Sequence, residues 1–213
     1  IFQQYPDLPQ VDSSAGVQLL ASSVAHEHGS EHEHESHEPP HEHEQNGHIW
    51  MSVGNAMQQV RNIAEALCAL LPGDAAAIRS NEAAYLARLE TLQSDMRAAT
   101  APLSGAAIVT YHDAFAYLAD EQGLRVAATL VADPEDTPST RAVASLVDEI
   151  RSEGLQVVFT EPGASTQSAG TLARETGIRI ASLDPITRGE ATLDAYETRQ
   201  RANLRTLQEV FAP

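Results

Sequence analysis

The first residues show no sustained period, although Val17 to Leu20 predicts one short strand. Residues 25–47 alternate His and Glu around Pro39-Pro40 and hold nothing that fills a core, which predicts a low-complexity loop. From Ser52 a helical period begins: Met57, Val60, Ala64, Leu67 and Leu71 step by three and four along one face. Pro72-Gly73-Asp74 stops that helix and offers Asp74 as the N-cap of the next. Ile78, Tyr85, Leu89, Leu92 and Met96 carry a second stripe to about Thr100. A helix over 74–100 spans roughly 40 Å, the length of a whole small protein.

After Pro102 and Gly105 the pattern alternates. Ala106–Tyr111 predicts a strand, Asp113–Gln122 a helix capped by Asp113 and ended by Gly123, and Val126–Val131 a second strand. Thr137-Pro138 predicts an N-cap with proline at the first helical position, and Val143, Leu146, Val147 and Ile150 form one face before Gly154. Leu155–Thr160 predicts a third strand, Thr166–Thr176 a helix, Ile178–Leu183 a fourth strand and Leu193–Phe211 a closing helix. The fold class is therefore α/β, with a parallel four-stranded sheet flanked by helices in the C-terminal part. Ligands gather at the carboxyl ends of such strands. His112, Asp133, Glu161 and Asp184 fall at those four ends.

Composition changes the picture at one place. The 213 residues carry a net charge of −17, with all 13 basic residues arginine. That balance excludes nucleic acid as a partner and docking on anionic lipid, since both need clustered Lys and Arg. A 42% apolar content supports a real core, and a single cysteine, Cys68, excludes an internal disulfide and reads as a small core residue. Eight of the nine histidines lie between His26 and His48, together with seven glutamates and no arginine, so this stretch carries −7 of the total. His26, His28, His32, His34, His37, His41 and His43 on a flexible tether offer imidazole and carboxylate ligands that suit zinc, copper or nickel. The alternative is a solvated acidic linker.

His48 and His112 each carry two readings. His48 stands where structured sequence begins, so it is an ordered ligand or one more tail histidine. His112 is a ligand at a strand end or a hydrogen-bonded structural residue. An HD dyad also occurs in metal phosphohydrolases, but the further histidines of a helical domain are missing here. No G-x-S-x-G, P-loop or G-x-G-x-x-G is present, and no general base is recognisable, so the chain does not read as an enzyme. The chain starts at Ile1 with no signal peptide, as a processed chain or a fragment would, and no run reaches the ~20 apolar residues of a membrane span.

In order, NGHIWMS, VTYHDAFAYLADEQGL, FTEP and SLDP resemble a known family across roughly residues 15–211. It is the zinc-binding proteins that feed bacterial ABC importers, the cluster A-I solute-binding proteins. NGHIWMS is similar to the family's N-P-H-x-W-[LM]-S, with Gly47 in place of proline. The resemblance implies two α/β lobes joined by a long rigid helix, with metal in the cleft. It implies His48 and His112 as ligands, Asp184 as the carboxylate that completes or neighbours the site, and the His-rich loop as an accessory segment. Zinc is the implied solute, with manganese, copper or nickel alternatives, an ABC permease the implied partner, and a periplasmic or membrane-anchored extracellular location follows. Only 24 residues precede the loop, so the expected division is 1–24 as a remnant of an incomplete N-terminal lobe, 25–47 as the loop, 48–73 as an N-lobe-type helix, 74–101 as the linking helix and 102–213 as the C-terminal lobe. The face of 52–71 is then expected to be exposed, or covered by a second copy. A stand-alone metal buffer or chaperone, working through the loop, is the competing function; a degenerate paralogue kept for protein interaction is a third.

Overall fold

The structure is a computed structural model and describes residues 8–22, 45–133, 135–163 and 167–212. A 3-10 turn at Ile49–Met51 leads into α1 (Val53–Leu70), which runs antiparallel to α2 (Ala75–Thr100). Then follow β1 (Ala107–His112), α3 (Ala116–Gln122), β2 (Arg125–Val131), α4 (Thr140–Glu153), β3 (Val157–Thr160), α5 (Gln167–Thr176), β4 (Arg179–Ser182) and α6 (Ala195–Phe211). The four strands are parallel, in the order β2-β1-β3-β4. The chain leaves β1 toward β2 on one side and returns to β3 on the other, so the strand order reverses between β1 and β3. That reversal opens a crevice at their carboxyl ends.

Period-two alternation along β1 divides the core. Ile108 joins Val157, Phe159, Leu92, Met96 and Leu207 on the face covered by α1, α2, α3 and α6. Val109 and Tyr111 join Leu146, Ile150, Val158 and Leu172 under α4 and α5. Thr110 and His112 therefore share the face of Ile108, and His112 is the last residue of β1 rather than the first beyond it.

Several local expectations are corrected. Val17–Leu20 is not a strand, and residues 8–22 contribute only an isolated antiparallel bridge, Ala21 to Gln45. Leu20 instead donates its N–H to the Tyr117 hydroxyl and accepts from Asn46 N, so these backbone groups are satisfied without a ladder. The cap of α4 is Ser139, whose hydroxyl accepts from Ala142 N, two residues after the predicted Thr137. Asp113 does not cap α3; it lies two residues before the cap position, Phe115, and accepts from the Ser22 hydroxyl at 2.8 Å. Cys68 is half-buried and contacts the Ala75 carbonyl rather than sitting in the core.

The α1 stripe splits in two. Met57 and Ala64 are buried, whereas Ile63, Leu67, Leu70 and Leu71 are 39–51% exposed. The N-terminal end of α1 is fixed from α3. Glu121 accepts from Val53 N at 2.6 Å and from Gly54 N at 3.0 Å, placing a carboxylate on the positive end of the helix.

Candidate metal centre

The site begins with Asn46, which is 4% exposed and bonded on every side. Its amide Nδ2 donates to the Asp113 carbonyl at 2.7 Å. Its Oδ1 accepts from His48 N at 2.9 Å and faces His48 Nδ1 at 3.0 Å. Its own carbonyl accepts from the Tyr117 hydroxyl at 2.8 Å. The amide is thereby oriented, and so is the imidazole that bonds to it. Buried Ile49 and Met51 anchor the turn that follows. His48 consequently has a fixed position, and the tail reading of it is set aside.

The His48 ring meets the His112 ring edge to face, with centroids 4.9 Å apart and planes at 81°. His112 is 5% exposed, and its Nδ1 lies 2.5 Å from Glu161 Oε1. Glu161 follows β3 directly, so this pair bridges the crevice between β1 and β3. In both histidines Nδ1 faces an oxygen acceptor. In the neutral ring, an acceptor at Nδ1 favours the Nδ1–H tautomer, the form whose Nε2 can bind a metal.

Burial lowers the pKa of His48 below its ordinary 6.5, and neighbouring His112 lowers it further; Glu161 and Asp113 oppose the shift. The folded chain thus holds His48 neutral where the unfolded chain would protonate it. The resulting stability is fully present above pH 6.5 and is lost as the pH falls through the depressed folded value. The urea midpoint of the metal-free chain should therefore drop between pH 7 and 5, and His48→Ala should flatten that drop. Parallel profiles for the two proteins would contradict the assignment.

Asp184 stands apart from the pair. Asn203 bonds its backbone at both N (2.8 Å) and O (2.9 Å), and its Oδ1 accepts from Ile186 N at 2.8 Å. It lines a cavity of about 430 Å³ with Glu161, Arg188 and Arg199. Among the described residues no three His, Cys, Asp or Glu side chains form a metal-binding group. Two of the three expected ligands are therefore brought together, and the third reaches them only through the shared neighbour Glu161. Asp133 lines a smaller cavity of about 230 Å³ with His48 and Asp113. His26, His28, His32, His34, His37, His41 and His43 lie outside the described residues.

Sequence reasoning missed three supporting roles: Asn46 as the orienter of His48, Tyr117 as the tie between residues 20 and 46, and Glu161 as the partner of His112. For Tyr117 a signal existed, since it falls on the buried side of the helix that follows His112.

The chain matches a family model described as "ZnuA: Zinc-uptake complex component A periplasmic" over residues 2–210. It is 33% identical over 203 residues to the zinc-binding protein AdcA of Streptococcus pyogenes serotype M3, covering 91% of this chain and 39% of that protein. A putative metal-binding protein of Treponema pallidum is 30% identical over 196 residues, covering 92% of this chain and 60% of that one. Among solved structures, the solute-binding protein FpvC of Pseudomonas aeruginosa in complex with Mn2+ superposes with a TM-score of 0.83 at 28% identity, covering 96% of this chain and 71% of that one. The chain thus spans about two fifths to three fifths of the length of these curated relatives. With the match running nearly end to end, the chain belongs to the ZnuA family of periplasmic zinc-uptake components.

Proposed function

We propose that this chain captures a divalent transition metal, zinc foremost, outside the cytoplasm and passes it to an ABC importer. The observation that carries this reading is the pair His48 and His112, in ring contact, each with Nδ1 facing an oxygen acceptor. Paired imidazoles fixed by outer hydrogen bonds are the usual preparation for a zinc ion. The names of AdcA and of the FpvC–Mn2+ complex support the same chemistry. No helix among the described residues is long and apolar enough to cross a membrane.

Zinc prefers four ligands in a tetrahedral array. His48 and His112 supply two. Asp184, which lines one cavity with Glu161, supplies the third. A loop histidine, His41 or His43, supplies the fourth; a flexible tether of this length reaches roughly 26 Å. Binding and release are the whole task, and no catalytic step is assigned.

The isolated bridge between Ala21 and Gln45 holds the two ends of the loop together, so the segment between them can be shortened without pulling the body apart. Calorimetric titration with zinc should show several sites on the full chain. Deleting residues 26–43 should leave a single site of reduced affinity. Loss of all tight binding on deletion would overturn capture by the structured pair and favour a loop-only metal buffer. Unchanged affinity at the remaining site would remove the loop histidine from the ligand set.

A further inference from the structure

The loop between β4 and α6 is secured from two sides. From the His48 side, Trp50 Nε1 donates to the Pro185 carbonyl at 2.8 Å. Trp50 is itself held, because its own carbonyl accepts from the Tyr196 hydroxyl at 2.7 Å. From the α6 side, Arg199 donates to the Arg188 carbonyl, and its Nη1 lies 3.8 Å from Asp184 Oδ2. The loop backbone fits closely around that guanidinium. Gly189 has φ +106, and a Cβ built there would land on Arg199. Between the two anchors, Ile186 is a non-glycine residue at positive φ, 60°. A β-branched side chain in that region is strained and persists only where its surroundings impose it. Here they do: Ile186 packs on the main core, and its N–H binds the Asp184 carboxylate.

We propose that Arg199 is a positioning residue for the metal site, clamping the 184–189 loop onto α6 so that the Asp184 carboxylate is presented at the cavity it shares with Glu161. This rests on the reading of Asp184 as a metal ligand. Arg199 touches no metal. It acts through the loop, as an outer hydrogen-bonding partner orients an inner ligand. Its Nη1 donates to the Arg188 carbonyl and places the guanidinium charge 3.8 Å from the Asp184 carboxylate, an ion pair without a direct hydrogen bond.

The test uses the full chain loaded with zinc, with release followed by stopped flow into a fluorescent chelator. Arg199→Met should speed release roughly tenfold and leave the association rate unchanged. In an Asp184→Asn background, which itself speeds release, Arg199→Met should add nothing. A merely structural role for Arg199 would not produce that non-additivity. Unchanged release in Arg199→Met, or an equal effect in both backgrounds, would overturn the clamp while leaving Asp184 as a ligand. Unchanged release in Asp184→Asn alone would overturn the ligand reading, and the clamp with it.

Discussion

Replacing His112 with alanine is expected to remove the tight zinc site, lowering its affinity by at least roughly 100-fold, since loss of a ligand exceeds the loss of an outer partner. The reason lies in the geometry. His112 ends one of the two inner strands of the sheet, its ring centroid lies 4.9 Å from that of His48, and it is 5% exposed. The substitution also leaves the Glu161 carboxylate without its imidazole partner at the mouth of the crevice. Competition titration with a zinc-selective chelator reads the change directly. Retention of near-native affinity would assign binding to the His-rich segment and contradict capture in the crevice.

Asn46→Ala is expected to lower both stability and affinity, although the residue touches no metal. It removes the donor to the Asp113 carbonyl and the acceptor for both His48 N and His48 Nδ1. Losing these bonds costs about 1–3 kcal/mol. The freed His48 ring then loses its tautomer preference and its orientation, a loss of about 10–100-fold in zinc affinity. Urea unfolding of the metal-free chain measures the first effect and zinc titration the second. A loss of stability with affinity intact would mean that Asn46 shapes the turn without orienting the ligand.

The secondary structure was legible because its signals are local. Glycines at positions 123 and 154, with φ of 69 and 64, stop α3 and α4 where the apolar stripes end. The switch from period 3.6 to short apolar runs after Gly105 located the sheet. His112 was legible for the same reason, as a polar residue closing an apolar strand, and His48 through the motif around it. What stayed hidden depends on contacts distant in sequence. Glu161 lies 49 residues from His112, and only the strand order β2-β1-β3-β4 makes them neighbours. Asn46 reaches the backbone of Asp113 across 67 residues. The Val17–Leu20 strand failed because its pattern fits a strand but the described structure offers it no ladder, only Tyr117 and Asn46. The α1 stripe predicts one buried face, yet burial along it ends at Ala64. Ile63, Leu67, Leu70 and Leu71 are left exposed.

On the proposed function, His48 and His112 together hold the metal. Zinc K-edge X-ray absorption on the chain lacking residues 26–43 tests it most directly, because the remaining histidines are those two alone. The expected first shell contains two imidazoles at about 2.0–2.1 Å, falling to one in His112→Ala. A shell of oxygen ligands without imidazole would contradict it.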